Sequence, residues 1–378
     1  MKKIAILLSL IISVSAQDFS WAIPFASSGA DVVSDLDIDT NGNVYIIGLN
    51  RGTVDFDPSS NVVNLTNENG NHDIFIAKYN SSGAYQWAKS ITTEVYNSSN
   101  QGNGIAVDAD GNVFITGKFK GTTDFDPSSN TANLTSNGGS NNRFDIFIAK
   151  YNSSGEYQWA KNIGGGNEHH EGVDLDTDAS GNIYLTGQFY ETVNFGTGDI
   201  TSNGFNDFFI AKYNTSGTCQ WAFGVGSARF ENTYALHVDG SANIYVTGRF
   251  TKGDPTNVDF DPSSNTANLV ATGSEDIFFA KYNSSGEYQL AKSIEGASSS
   301  NSQGHGIITD SSDNIILTGY MSGTVDFDPS SGTASLSSGV CSSCSEGGQD
   351  IFIAKYNSSG AYQWAKLAGS TEYYDQGN

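Results

Sequence analysis

One phrase recurs five times along the 378-residue chain and constrains its architecture more than any other feature. It reads DIFIAKYNSSGAYQWAK from Asp73, DIFIAKYNSSGEYQWAK from Asp145 and DFFIAKYNTSGTCQWAF from Asp207. It returns as DIFFAKYNSSGEYQLAK from Asp276 and DIFIAKYNSSGAYQWAK from Asp350. Its lysines, Lys78, Lys150, Lys212, Lys281 and Lys355, are spaced by 72, 62, 69 and 74 residues. A second phrase runs in step and ends at Gly48, Gly117, Gly187, Gly248 and Gly319. Such self-similarity means one supersecondary unit copied in series.

Each copy reads as four short strands. In the second, GIAVD from Gly104 leads through Ala109-Asp110-Gly111-Asn112 into VFITGKF from Val113. A long polar loop follows, then DIFIAKY from Asp145, a turn at Asn152-Ser153-Ser154-Gly155, and YQWAKNI from Tyr157. β-Branched and aromatic runs punctuated by Gly, Asn, Asp and Ser indicate antiparallel strands, and no stretch has helical periodicity. The consecutive apolar residues of IFIA suit a strand buried on both faces. The expectation is an all-β β-propeller of four-stranded antiparallel blades. Five complete blades are visible, over roughly 31–91, 100–163, 169–224, 232–294 and 302–368, within a repeat domain spanning 17–378. Trp87, Trp159, Trp221 and Trp364 would wedge between blades, with Leu290 in the remaining copy. Phe19-Ser20-Trp21-Ala22 matches Tyr85-Gln86-Trp87-Ala88 and reads as an extra N-terminal outer strand. Glu372 to Asn378 resembles the lead-in at Asn97–Asn103 and then stops, so truncation at the C-terminus and a further blade in the parent protein are expected.

Residues 1–16 read as a signal peptide: Lys2 and Lys3, an apolar run from Ile4 to Val14, then Val14-Ser15-Ala16. The run is too short to span a bilayer, so a secreted or cell-surface location without membrane insertion is expected. The 41 acidic residues against 18 Lys and Arg give a formal charge of −23, which argues against a nucleic-acid partner. Three cysteines do not make a disulfide framework; Cys341 and Cys344, in a Gly/Ser loop, suit a local disulfide better than zinc.

GIAVDADGNVFITGKF followed by DIFIAKYNSSGAYQWAK resembles the SBBP β-propeller repeat family of secreted and surface bacterial proteins. The resemblance covers about Asp31 to Lys366. It implies a propeller and an extracellular address, and no catalytic activity. The third copy departs from it, with Asn194-Phe195-Gly196 in place of Asp-Phe-Asp-Pro, and the fifth carries the CxxC loop.

Residues present in every copy answer needs that every blade has. The repeated glycines suit close packing or a bulge. The repeated lysines either snorkel beside an aromatic ring or pair with an Asp. Two acidic patterns are weighed against calcium. Asp37, Asp39 and Asn41 fit the first half of a calcium loop, but the twelfth position is Gly48, and a hairpin turn explains them. Asp55 and Asp57 recur as Asp124 and Asp126, Asp259 and Asp261, and Asp326 and Asp328; they suit capping of loop amides, with calcium the alternative. No cofactor is otherwise required.

Ligand binding is expected on the face carrying the blade-to-blade connections, where loops vary. Aligning those connections places Asn103, Glu171, Tyr234 and His305 in equivalent positions just before the innermost strands, ringing the channel mouth. Glu168-His169-His170-Glu171 is the most functional-looking tetrad, though its spacing is not that of a zinc motif. No nucleophile or paired carboxylates stand opposite it. The expected protein is a monomeric, non-enzymatic binding or adhesion module for carbohydrate or an extracellular protein. The alternatives are a passive spacer and a polysaccharide-active enzyme.

Overall fold

The computed structural model describes residues 21–24, 31–67, 72–93, 99–137, 143–166, 168–252, 257–297, 301–339 and 348–369. The leader, Phe19, Ser20, Cys341, Cys344 and Glu372–Asn378 lie outside the described residues.

The described residues form strands and turns without a helix. The first blade is an antiparallel sheet ordered Val32–Ile38, Val44–Asn50, Asp73–Tyr79, Tyr85–Thr93 from inside to outside. The same order recurs in four further sheets, whose innermost strands are Gln101–Val107, Glu171–Thr177, Glu231–Val238 and Gln303–Thr309. Innermost strands of successive blades are neighbours.

Local chemistry sets each hairpin. The Asp39 carboxylate accepts the amides of Asn41 and Asn43 at 2.9 Å each, and Gly42 sits at φ +75° where the chain reverses. Asn80 Oδ1 does the same for Ser82 and Ala84 at the second turn. The third strand is buried on both faces, with Ile74, Phe75, Ile76 and Ala77 all in the core.

The polar loop between second and third strands holds an element the sequence reading left out. In every copy it folds into a two-stranded hairpin, as Thr53–Asp55 with Asn64–Thr66 in the first. Three-residue strands carry too little alternation to show as strands in a sequence. In the second blade this hairpin continues the preceding blade's outer strand, pairing Thr92 with Asp124 and Thr93 with Thr123. The fifth blade does likewise, pairing Glu295 with Asp326. The buried Phe56 pins the hairpin, and its carbonyl accepts the Tyr79 hydroxyl at 2.8 Å. Tyr151, Tyr213, Tyr282 and Tyr356 repeat that bond.

The repeated lysines do both of the things expected of them. Lys78, Lys150, Lys212 and Lys281 lie 4.7 to 5.0 Å from the ring centres of Tyr45, Phe114, Tyr184 and Tyr245. In the fifth blade Ile316 occupies the ring's register position, and Lys355 instead donates to Asp310 at 2.7 Å.

Every innermost strand bulges at one place, opposite the repeated glycine. A Cβ on Gly187 would lie 2.0 Å from the Glu171 carbonyl oxygen, and the other four glycines face the same contact at 1.9 to 2.0 Å. Gly187→Ala should therefore destabilise the protein by about 1–3 kcal/mol, the usual cost of overpacking. Urea unfolding monitored by fluorescence measures it, and a loss within error of zero would show that the bulge does not need the glycine.

Candidate functional site

The bulge determines what faces the channel. Its extra residue is Ser34, Asn103, Val173, Tyr234 and His305 in successive blades, and all five line a central cavity of about 460 Å³. This corrects the sequence alignment in two respects. The ring residues lie within the innermost strands, and the third blade contributes Val173, with Glu171 two residues earlier beside Gln188. In each blade the ring residue stands five places before the Asp that opens the hairpin turn (Asp39, Asp108, Asp178, Asp239 and Asp310), so a count back from the turn reaches Val173, whereas Glu171 stands seven places before it.

The four nominated residues nevertheless meet, as two pairs. Asn103 Nδ2 donates to Glu171 Oε1 at 2.9 Å and to the Gly172 carbonyl at 2.9 Å. Tyr234 and His305 stack with ring centres 4.7 Å apart and planes 3° from parallel, and Tyr320 lies 5.3 Å beyond His305. Burial, then the Arg249 guanidinium, push the His305 imidazole below its ordinary range. Arg249 is itself engaged with Glu275.

Below the mouth the innermost strands hold carboxylates. Asp35 accepts the amide of Leu36 at 2.8 Å and that of Ile105 in the next blade at 2.9 Å. Asp174 repeats this with Leu175 and Leu236, at 2.8 and 2.7 Å. One step down, Asp37 and Asp176 accept Val107 and Val238 amides at 2.7 Å. These bonds tie the first blade to the second and the third to the fourth. Burial raises Asp35 to about 6, with Asp37 and Asp176 adding to it, and raises Asp174 well above the usual carboxylate range.

Between the second and third blades, a cleft of about 300 Å³ is lined by Lys118, Phe144, His169, Glu171, Gln188 and Tyr190. Lys118 Nζ pairs with Glu171 at 3.0 Å and lies 5.5 Å from the Phe144 ring centre. The adjacent histidines do not act as a pair of ligands. His170 is 1% exposed, with Nε2 2.7 Å from the Gly165 carbonyl and Nδ1 accepting the Tyr190 amide. His169 Nδ1 accepts the Phe144 amide. His170 thus lies inside, held by the Gly165 carbonyl.

The acidic patterns weighed against calcium are engaged with amides. Asp39 takes the Asn43 side chain and the Tyr45 hydroxyl on its second oxygen, and Asn41 donates its amide to Asp39. Asp55 accepts the amides of Asp57 and Val63, and Asp57 that of Ser59. Asp124 and Asp126, Asp259 and Asp261, and Asp326 and Asp328 repeat this. Among the described residues no three or more His, Cys, Asp or Glu are grouped to hold a metal ion. Chelator should leave the melting temperature of the full chain unchanged; a drop reversed by added calcium would overturn the amide-capping account.

Sequence reading missed a further set of acids, the first residue of each third strand. Asp73, Asp145, Asp207, Asp276 and Asp350 are buried. Asp145, Asp207, Asp276 and Asp350 each accept an amide from the loop that precedes them, as Asn203 donates to Asp207 at 2.9 Å. Burial raises Asp73 to about 6 and Asp207 to about 7. A carboxyl whose folded pKa is raised stabilises the fold when protonated, and that contribution is lost as pH rises through the folded pKa. The melting temperature should therefore rise between pH 8 and 6.5, with Asp207 contributing on the order of 1 kcal/mol. Calorimetry of Asp207→Asn should show a flatter dependence; an unchanged slope would sink the assignment.

The repeat has known counterparts. The family described as SBBP: Beta-propeller repeat matches residues 86–122, from the first outer strand through the second strand of the next blade. The "Uncharacterized WD repeat-containing protein L264" of Acanthamoeba polyphaga mimivirus is 28% identical over 418 residues, covering 92% of this chain. This chain spans only 28% of that protein's length. Among solved structures, a protein of unknown function from Bacteroides caccae aligns with TM-score 0.28 and 9% identity over 78% of this chain and 90% of its own. BamB from Moraxella catarrhalis aligns with TM-score 0.24 and 10% identity over 77% and 96%. The architecture rests on the sheets themselves. Residues 86–122 thus match the SBBP β-propeller repeat, and the chain writes the same two phrases at four other places.

Proposed function

We propose that the protein is an exported, non-catalytic binding module that takes a hydroxyl-rich ligand, a glycan, at the channel mouth. The observation that carries this reading is the Tyr234–His305 stack at the edge of the central cavity. Flat aromatic faces receive the apolar face of a sugar ring, and convergent polar groups fix its hydroxyls. Asn103 and Ser34 supply such groups in the same cavity. Export rests on the leader at residues 1–16, and the acidic surface suits an uncharged ligand. Catalysis finds no support: Glu171 is held by Lys118 and Asn103, and the His305 ring faces Gln303 at 3.2 Å.

One observation favours a protein partner as the second reading. Phe205 and Phe230 are exposed and stacked, with centres 4.7 Å apart and planes 12° from parallel. An exposed aromatic pair beside variable loops is a protein-contact feature.

A glycan array probed with the full chain, followed by titration of Tyr234→Ala and His305→Ala, separates the readings. Each variant should bind a selected glycan about tenfold more weakly or worse, ~1.4 kcal/mol, with the melting temperature preserved. Glycan binding that persists in both variants would remove the mouth as the site. An array without binders, with a partner whose capture is lost on Phe205→Ser, would establish the second reading instead.

A further inference from the structure

Two faces of the structure are apolar and bare, and both are faces that the other blades bury. Leu36, on the first innermost strand, is 54% exposed, whereas its counterparts Ile105, Leu175, Leu236 and Ile307 are 2 to 6% exposed. At the other end, Ile353 on the third strand of the fifth blade is 43% exposed, whereas Ile76, Ile148, Ile210 and Phe279 are fully buried. Trp364 is exposed on the same blade. The first and fifth blades thus each present half of an inter-blade interface.

Trp21 marks what belongs between them. Within the ring, the outer-strand Trp of one blade lies on the second hairpin turn of the next. Trp87 Nε1 donates to the Ser153 carbonyl at 3.1 Å, and Trp159 Nε1 to that of Thr215 at 3.3 Å. Trp21 Nε1 donates to the Ser81 carbonyl of the first blade at 3.1 Å. The turn glycines agree: a Cβ on Gly83 would meet the Trp21 ring at 2.8 Å, as one on Gly155 would meet Trp87 at 3.0 Å. Trp21 therefore occupies the outer-strand position of a blade that precedes the first.

We propose that the space between the fifth and first blades is a docking site for a three-stranded antiparallel unit of this same repeat. The unit supplies innermost, second and third strands, and the segment around Trp21 completes it as the fourth. Its third strand carries an IFIA-type apolar run, since that is what Leu36 and its counterparts cover elsewhere. A four-stranded unit fits less well, because its own Trp would meet Trp21. A second copy docking its fifth blade on the first would bring Trp364 into the same place. The inference is independent of the ligand proposed at the channel mouth.

The experiment extends the full chain at its C-terminus with a copy of residues 100–152, the three inner strands of the second blade. Melting temperature, binding of a dye for exposed apolar surface, and hydrogen exchange at residues 21–24 are compared with the unextended chain. The extension should raise the melting temperature, reduce dye binding and protect residues 21–24. Trp21→Ala should remove much of that gain, and an extension of residues 100–163 should add nothing beyond it. An extension whose Ile146 and Ile148 counterparts are serine controls for length and should leave all three readouts unchanged. Equal readouts from the apolar and serine extensions would overturn the proposal. So would light scattering that shows the unextended chain as a dimer without dye binding, since a second copy would then be the occupant.

Discussion

The structure depends on one contact, between a glycine of each second strand and a carbonyl of the innermost strand beside it. With no Cβ at Gly48, Gly117, Gly187, Gly248 or Gly319, that carbonyl comes close enough for the innermost strand to gain a residue. The gained residue is the one that lines the channel. An invariant contact in the sheet thus produces a variable position at the mouth, and backbone geometry, rather than loop length, places Tyr234 against His305.

Blades share few ladder hydrogen bonds, so their cohesion needs other sources. Apolar third strands supply the area, and outer-strand tryptophans close the turns of the following blade. Near the axis, Asp35 and Asp174 accept amides of the neighbouring innermost strand, which would otherwise be an unpaired edge. At the rim, the Thr122–Asp124 strand continues the Tyr85–Thr93 strand across the blade boundary. Several of the chain's carboxyl groups are thus structural, holding backbone amides both near the axis and in the surface loops.

Where a residue type answers a local need, the sequence was readable. The repeat gave the four strands of each blade, Asn-Ser-Ser-Gly gave the turns, and the paired Asp of Asp-Phe-Asp-Pro gave a loop with capped amides. The two roles of the lysines were legible too, and the exchange at Ile316 shows why both were needed. The mouth was read less well: the third blade's connection was aligned two residues out, so Glu171 was set at the place that Val173 holds, and the bulge that turns this position toward the channel leaves no mark in composition. The acids opening each third strand were invisible for the opposite reason. Being part of the most repeated phrase, Asp207 and its counterparts looked like strand boundary, and only burial distinguishes them.

The bulge position has a consequence for how such a protein changes over generations. Its side chain points into the cavity, while the glycine contact that positions it lies in the neighbouring strand's backbone. Where such a side chain makes no bond to a neighbouring blade, unlike Asn103 with its bonds to Glu171 and Gly172, substitutions at these positions should have nearly additive effects on stability. Tyr234 and His305 are a further exception, since they stack. The lining of the channel can then drift one blade at a time, on a scaffold whose folding requirements stay fixed.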